Sequence, residues 1–167
     1  MKKYFVLILL VCAIYISGCT DTGTDNGNDF PEQTEYNDGF AAASPLELSL
    51  YTIDYDTYEC TPTVSVIQSE SEINAKLIIN EVIANFKENV IIEDIIENPD
   101  NIIVCFSDDA APVKNVSEKM EYAMLDCIAY SLLDNLDYCN EVYFRSNGEI
   151  YESSYISMQN DEPYISK

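Results

Sequence analysis

The sequence contains Ile102-Ile103-Val104-Cys105-Phe106, a run of five apolar residues without a break. A continuous apolar run of this length, bounded by turn signals, is typical of a fully buried strand. The turn signal before it is Asn98-Pro99-Asp100-Asn101, because proline and asparagine favour tight turns. The run therefore predicts a central strand, around which the other elements are arranged.

An amphipathic helix is predicted on each side of this strand along the chain. The first covers residues 69–87, where Ser69 and Glu72 match the capping box S-x-x-E. The second covers residues 117–136 and alternates a charged side with an apolar side. The predicted buried positions are Ala75, Ile78, Ile79, Val82, Ile83 and Phe86 in the first helix and Ala123, Met124, Cys127, Ile128, Leu132 and Leu136 in the second.

Further strands are predicted from alternating or β-branched segments. They are residues 46–50, 63–67, 90–96 and 141–145, with a short return strand at 149–151 after the hairpin turn Asn147-Gly148. The order ββαββαβ(β) predicts an α+β fold, a two-layer sandwich with two helices on one face of a mixed sheet of four to six strands. The folded domain is expected to cover residues 46–167.

The N-terminus has the pattern of a bacterial lipoprotein signal. Lys2 and Lys3 precede thirteen mostly apolar residues, 4–16, which suit a secretory signal better than a span of about 20 residues. Ile16-Ser17-Gly18-Cys19 then resembles a lipobox, an aliphatic and two small residues before the lipidated cysteine. We expect residues 1–18 to be a signal peptide and Cys19 to carry lipid, anchoring the protein at the outer face of the cell membrane.

Residues 19–45 are predicted to be the lipidated cysteine and a disordered acidic tether. Thr, Asn, Gly and Asp dominate this segment, and it contains no Lys or Arg. Such a composition cannot bury enough apolar surface to offset the entropy lost on ordering.

The composition excludes several classes of function. The formal net charge is −22, so the surface repels nucleic acid and anionic lipid headgroups. The chain has no histidine, which excludes Ser-His-Asp and Cys-His catalysis and removes the commonest zinc ligand. No enzyme activity, no catalytic residue and no cofactor are expected.

Acidic pairs give the only candidate ligand sites. Asp54, Asp56 and Glu59 could supply oxygen ligands to calcium, but the EF-hand loop pattern and its glycine are absent. Asp54/Asp56 and Asp108/Asp109 could also serve as the two carboxylates of a glycoside hydrolase. In a chain with 30 acidic residues such pairs occur by chance, and we interpret both as solvated loops.

Cysteines and tyrosines are the remaining candidates. The expected mature domain contains Cys60, Cys105, Cys127 and Cys139, which outside the cytoplasm permit three disulfide connectivities. We interpret Cys105 and Cys127 as small buried apolar residues, whereas Cys60 and Cys139 flank strands and could meet. Tyr51, Tyr55 and Tyr58 are candidate interface residues, because exposed tyrosines favour interfaces; sheet packing is the alternative.

This arrangement resembles the GerMN domain, a module of sporulation and germination lipoproteins in spore-forming bacteria. The resemblance spans residues 46–151. The segments that carry it are Leu48-Ser49-Leu50-Tyr51, Val64-Ser65-Val66, the helix over 73–86, the run from Ile102 to Phe106 with Ser107, and Val142-Tyr143-Phe144 followed by Gly148. The chain departs from the family at Lys87-Glu88-Asn89, where members often have Gly-Pro, and it lacks a basic residue near the second strand.

The resemblance implies a non-catalytic scaffold module of envelope assemblies. Its expected partners are the membrane, through the lipid, and other envelope or spore-assembly proteins or further copies of itself. The alternative is an extracytoplasmic lipoprotein that captures a cation or small solute, which predicts a concave pocket with convergent polar groups.

Overall fold

The computed structural model describes residues 45–68, 72–159 and 162–167. The elements are β1 (Pro45–Asp54), β2 (Glu59–Gln68), α1 (Ala75–Ile83), β3 (Ile92–Glu97), β4 (Asn101–Phe106), α2 (Glu118–Asn135), β5 (Glu141–Ser146), β6 (Glu149–Ile150) and β7 (Ile165–Ser166). The predicted α+β class and the order ββαββαβ are confirmed. The predicted signal peptide, Cys19 and the tether up to residue 44 lie outside the described residues.

β4 is the central strand, as its apolar run predicts. It pairs antiparallel with β3 and parallel with β5, and α2 makes the crossover between β4 and β5. Ile102, Val104 and Phe106 are fully buried on the side that faces the helices. A parallel pair needs such a crossover, and the crossover helix covers one face of the sheet.

β1 and β2 form a separate two-stranded sheet, so the larger sheet has five strands without them. Ten residue pairs join the two strands in antiparallel register, from Pro45–Gln68 to Asp54–Glu59. Leu48 and Leu50 are buried, whereas Glu47 before them and Ser49 between them are exposed. This alternation is the one the sequence predicts, and it directs one face of the hairpin onto α2 and α1.

α2 packs against both sheets, which explains why it is buried on most of its circumference. Ser117 caps it by accepting a hydrogen bond from the Met120 amide at 3.4 Å, an interaction worth about 1 kcal/mol. All six predicted core positions are buried, and the helix buries Met120, Glu121, Leu125, Ala129, Ser131 and Leu133 in addition. Within the described residues no helix is long and apolar enough to span a membrane.

α1 is shorter than predicted, and the predicted capping box is wrong. The helix begins at Ala75, and the side chain of Asn74 accepts a hydrogen bond from the Leu77 amide at 2.9 Å. Glu72 precedes the helix in a non-helical segment, and Ser69 lies outside the described residues. Asparagine caps helices as well as serine does. With this cap, the first helical residue is Ala75, which is buried.

The C-terminal end of α1 also comes early. Its last turn tightens into i→i+3 hydrogen bonds, from the Asn85 amide to Val82 and from the Phe86 amide to Ile83. The predicted extension to Lys87 is therefore wrong.

The hairpin turn at Asn147-Gly148 is confirmed. Both residues have positive φ, 49° and 76°, as a type I′ turn requires. The C-terminal segment contributes β7, which sequence patterns did not predict because it has only two residues.

Among the described residues, one carboxyl group is fully buried, and the sequence did not predict it. Glu121 of α2 is fully buried, and the hydroxyl of fully buried Tyr151 donates a hydrogen bond to its Oε1 at 2.7 Å. Its Oε2 has no hydrogen-bond partner among the described residues. Burial and this hydrogen bond raise the pKa of Tyr151.

Candidate interaction surface

The two sheets have four lateral edges in the described residues, and the edges differ in how their backbone groups are covered. An edge strand has unpaired N–H and C=O groups that can pair with another chain, so proteins usually block such edges. In the described part of the chain, the edges belong to β1, β2 and β3 and to the outer side of β5.

The β1 edge is closed by side chains of α2. The Ser49 amide donates to Oδ1 of Asn135 at 3.0 Å, and the Asn135 side-chain amide donates back to the Ser49 carbonyl at 2.7 Å. The Tyr51 amide donates to Oγ of Ser131 at 2.9 Å. These contacts replace a neighbouring strand, so the β1 edge is not free to pair.

The outer side of β5 is covered by two short strands. β6 pairs with its C-terminal end and β7 with its N-terminal end. The Tyr164 amide donates to the Val142 carbonyl at 2.8 Å, and its hydroxyl donates to Asp126 of α2 at 2.6 Å. The C-terminal segment is thus fastened both to the sheet and to the helix.

The β3 edge is guarded by charge. Glu93, Asp94 and Glu97 are exposed along it, and the strand register shifts between Ile92 and Asp94. The Ile95 amide donates to Oδ1 of Asp94 at 2.9 Å, so this donor is already occupied. Charges and bulges are the usual devices that prevent pairing at a strand edge.

The β2 edge has none of these protections among the described residues. β2 pairs only with β1, and the eight residues 61–68 carry no charge. Ser49 pairs with Val64, but the Ser49 amide donates to α2 and not to β2. The two residues therefore form a non-hydrogen-bonded pair, in which the N–H and C=O groups of Val64 point away from β1. The same alternation applies to Val66.

The outward residues of β2 are also apolar. The side chains of Val64 and Val66 are 66% and 60% exposed, the highest values among the large hydrophobic residues of the structure. Pro62 occupies the matching position opposite Tyr51, where the hairpin needs no donor. We define the β2 edge as Pro62, Val64 and Val66 with their outward backbone groups.

The three candidate interface tyrosines lie beside this hairpin but differ in exposure. Tyr51 is half-buried, stacks on Tyr130 at 5.3 Å between ring centroids, and donates to Asp134 at 2.9 Å. This hydrogen bond is the main reason that the pKa of Tyr51 is raised. Tyr58 is 41% exposed in the turn between β1 and β2, with φ of 63°.

Tyr55 is engaged within the protein. Its hydroxyl donates to Glu88 at 2.8 Å and accepts the Lys87 amide at 2.6 Å, and the Lys87 ammonium lies 3.8 Å from the ring centroid. Burial is the first cause of the raised pKa of Tyr55. Tyr58 is therefore the member of the three whose ring is most available to a partner.

The candidate calcium ligands have a structural role in the same turn. Oδ1 of Asp54 accepts the amides of Asp56 and Thr57 at 2.8 and 3.3 Å, which is an Asx turn. Glu59 begins β2 and pairs with Asp54 in register. No group of three or more acidic or cysteine side chains in the described residues is arranged to hold a metal.

The other acidic pair is a surface feature. Asp109 makes an exposed ion pair with Lys114 at 3.1 Å, which contributes at most about 1 kcal/mol.

Among the described cysteines, Cys60 lies next to Cys127, which is buried as predicted. The Sγ atoms of Cys60 and Cys127 lie 3.2 Å apart, joining β2 to α2. Cys139, which the sequence allowed as a neighbour of Cys60, is fully buried and its thiol points to the Glu141 carbonyl at 3.6 Å. Cys105 is buried on β4, as predicted. The contact between Cys60 and Cys127 depends on how β2 packs against α2, which strand boundaries alone do not reveal.

A groove between α1 and β3 is the feature closest to the pocket that the ligand-binding alternative predicts. Its volume is about 420 Å³, and it is open to solvent at the guarded β3 edge. Its polar lining includes Lys76, Asn80, Glu93, Asp94 and Glu97, so acidic groups predominate.

Comparisons with known proteins add a distant structural similarity. No family model matches the chain and no curated protein matches it. A crystal structure at 2.5 Å of a Clostridium perfringens protein, provisionally designated a lipoprotein, superimposes with a TM-score of 0.41 and 18% identity. The match covers 65% of this chain and 79% of the other. A similarity of this degree carries no inference about function, and the GerMN resemblance stays a prediction.

Proposed function

We propose that this protein is a lipid-anchored envelope protein that acts as a non-catalytic interaction module, adding a strand of a partner protein to its β2 edge. The lipobox ending in Cys19 supports the anchor. The resemblance to the GerMN domain supports a role in sporulation or spore germination. The observation that carries the proposal concerns the described residues: there the β2 edge is open, uncharged and apolar, whereas the other sheet edges are closed or guarded.

Strand addition uses the chemistry that this edge offers. The outward N–H and C=O groups of Val64 and Val66 can form a ladder with an extended segment, and main-chain hydrogen bonds of this kind supply affinity without demanding one sequence. The exposed valine side chains favour alternating β-branched residues in the added strand.

Charge identifies the kind of partner. The chain has a formal charge of −22, and Glu47 lies beside Val66 on the outer face of the hairpin. A second copy would bring like charges together, whereas a basic protein is attracted. The proposed occupant is therefore an extended, alternating segment flanked by lysine or arginine in a basic envelope protein.

A peptide titration tests the proposal. The probe is a synthetic peptide of alternating valine and threonine with two lysines at each end, added to the mature lipidated chain in detergent. We expect saturable binding that weakens as salt rises, because the attraction between opposite charges is screened. The same peptide with glutamates in place of the lysines is the control and should bind more weakly.

Two variants of one residue locate the binding. Val64→Pro removes an outward N–H that the β1 ladder does not use, so the hairpin keeps its internal hydrogen bonds. Val64→Thr keeps both the donor and the β-branched shape. We expect at least a tenfold loss of affinity for the proline variant and a small change for the threonine variant. Equal binding by both would contradict strand addition at this edge.

Salt dependence separates the partner classes. If the chain pairs with a second copy, sedimentation should show association that strengthens with salt. That result, with no response to the lysine peptide, would replace the basic partner by a homo-oligomer. For the anchor, replacing Cys19 by Ala should release the protein from the membrane fraction, and continued membrane attachment would contradict lipidation at this residue.

A further inference from the structure

Cys60 and Cys127 form an unusual pair in a protein proposed to act outside the cell. Cys60 lies near the start of β2 and is partly exposed, whereas Cys127 is fully buried in α2. The thiol of Cys127 donates a hydrogen bond to the sulfur of Cys60 at 3.2 Å. A covalent S–S bond is about 2.05 Å long, so the two sulfurs need to approach by little more than 1 Å.

The other two cysteines of the described residues differ from this pair. Cys139 is fully buried and its thiol is directed to the Glu141 carbonyl, and Cys105 is buried on β4. They provide matched controls in the same chain.

We infer that Cys60 and Cys127 are joined by a disulfide in the mature protein, which fastens the interaction strand β2 to the central helix α2. The inference rests on the proposed envelope location, because that location supplies the oxidant. The oxidant is an external disulfide, either of a small thiol compound or of another protein. Oxidising compartments outside the cytoplasm are where such bonds form and persist.

The reaction proceeds by two exchanges. The thiolate of Cys60 attacks one sulfur of the external disulfide, giving a mixed disulfide and one released thiol. Cys127 then loses its proton and attacks the Cys60 sulfur, which releases the second external thiol. Two protein thiols are oxidised, one external disulfide is reduced to two thiols, and the two protons end on those thiols.

The surroundings of the pair fix this sequence of attack. Cys60 lines an open groove of about 510 Å³ together with Lys119, Tyr122 and Tyr130, so an oxidant reaches it first. The hydrogen bond to Cys60 and burial raise the pKa of Cys127. Closure of the ring should therefore be the slower step and should accelerate as pH rises, because the thiolate is the attacking species.

The bond would hold the open edge in place. It closes a loop of about 68 residues, long enough for a large loss of entropy in the unfolded chain. β2 has a free outer edge, so α2 and β1 are its attachments in the described residues. A strand fixed in this way presents its outward groups in one position, which lowers the ordering cost of adding a partner strand.

The test is disulfide mapping of the full-length protein from its host. Thiols are blocked with N-ethylmaleimide at lysis, and the digest is read by mass spectrometry. We expect one linked pair of peptides containing Cys60 and Cys127, with Cys105 and Cys139 alkylated. Cys60→Ser should abolish the link and Cys139→Ser should not. Reduction should lower the thermal midpoint by roughly 10 °C in the native chain and leave Cys60→Ser unchanged.

A second experiment tests the pairing of Cys60 with Cys127 separately from the proposed envelope location. Reduced full-length protein is incubated with glutathione disulfide, and its mass is followed until two hydrogens are lost. Failure to close, with Cys60, Cys105, Cys127 and Cys139 all still alkylated afterwards, would overturn the inference. The inference would also be overturned by a second result. In that result the disulfide closes in vitro, yet the host protein is reduced although protease reaches it on intact cells. A host protein that protease cannot reach would instead contradict the proposed envelope location, and the glutathione arm alone would decide the pairing.

Discussion

β2 and β3 are both edge strands of the same domain, yet they present opposite surfaces. β3 has Glu93, Asp94 and Glu97 along its length, and Asp94 occupies the Ile95 amide. β2 has no charge over residues 61–68, and Val64 and Val66 lie exposed on it. In a chain with 30 acidic residues, a strand edge free of them contrasts with its surroundings.

The difference shows where this fold permits another chain to pair. Edge strands that are left long and apolar invite pairing, and proteins that must avoid it add charges, bulges or covers. Here the protein applies charge and a register shift at β3, helix side chains at β1, and short strands at β5.

The largest effect should come from the helix that supports both sheets. Leu132 is fully buried on α2, which packs against the hairpin and against β5. Leu132→Ala should lower the free energy of unfolding by about 2–5 kcal/mol, because it removes apolar contacts and leaves a cavity. Leu132→Met nearly conserves volume and should cost less than about 1.5 kcal/mol. Urea denaturation measures both, and a loss under about 1 kcal/mol for the alanine variant would contradict the shared support.

The next effect should come from opening the closed β1 edge. Asn135→Ala leaves the Ser49 amide and carbonyl without their side-chain partner and should cost about 1–2 kcal/mol. Asp137→Ala, at an exposed position just after α2, should cost less. Hydrogen exchange at Ser49 should become faster in the first variant only. Unchanged exchange there would mean that Asn135 does not close the edge.

Alkaline pH should loosen the cover of β5. Burial and hydrogen bonds to Glu121 and Asp126 raise the pKa values of Tyr151 and Tyr164 above the ordinary value of 10. The unfolded state therefore loses these protons at a lower pH than the folded state does. The stabilisation that these tyrosines contribute is fully present below pH 10, and the free energy of unfolding falls as pH rises above 10. The expected slope for buried Tyr151 is about 1.4 kcal/mol per pH unit.

The matched variants for this prediction are phenylalanine substitutions. Tyr151→Phe should flatten the decline in unfolding free energy above pH 10, and Tyr58→Phe, at an exposed position, should not. Urea midpoints measured between pH 9 and 11 provide the comparison. Equal slopes in the native chain and in Tyr151→Phe would contradict the assignment to this residue.

The smallest effect on stability is expected at β3, but it should change association. Asp94→Val removes an exposed charge and frees the Ile95 amide, with a stability change within about 0.5 kcal/mol. The edge should then pair weakly with other copies, seen as a concentration-dependent species in sedimentation velocity. Asp137→Val, at an exposed position outside the sheets, should stay monodisperse. Monodisperse Asp94→Val protein would show that this carboxylate does not guard the edge.

Much of the fold was predictable because its signals are local. The apolar run around Val104, the Asn147-Gly148 turn and the apolar stripe of the second helix each depend on neighbours in sequence, and all three are confirmed. The separate hairpin sheet was not predictable, because the β1 edge is closed by side chains of Ser131 and Asn135 about 80 residues later.

The candidate site was only partly accessible to sequence reasoning. Glu121 looks like a surface residue until Tyr151, thirty residues later, reaches it in the interior. The tyrosine cluster drew attention to the hairpin, but Tyr51 and Tyr55 are held by Asp134 and Glu88, which lie on other elements. The uncharged segment 61–68 of an otherwise acidic chain was visible in the sequence. It would have indicated the β2 edge, whereas the tyrosines indicated only the hairpin.

Docking at the β2 edge can be measured by hydrogen-exchange mass spectrometry of the whole mature chain, with and without the lysine-flanked peptide. The segment 61–68 should exchange more slowly when the peptide is bound, because the outward amides of Val64 and Val66 gain partners. The segment 90–97, which contains the guarded β3 edge, should exchange equally in both states. Protection of 90–97, or no protection of 61–68 at saturating peptide, would contradict the assignment of β2 as the docking edge.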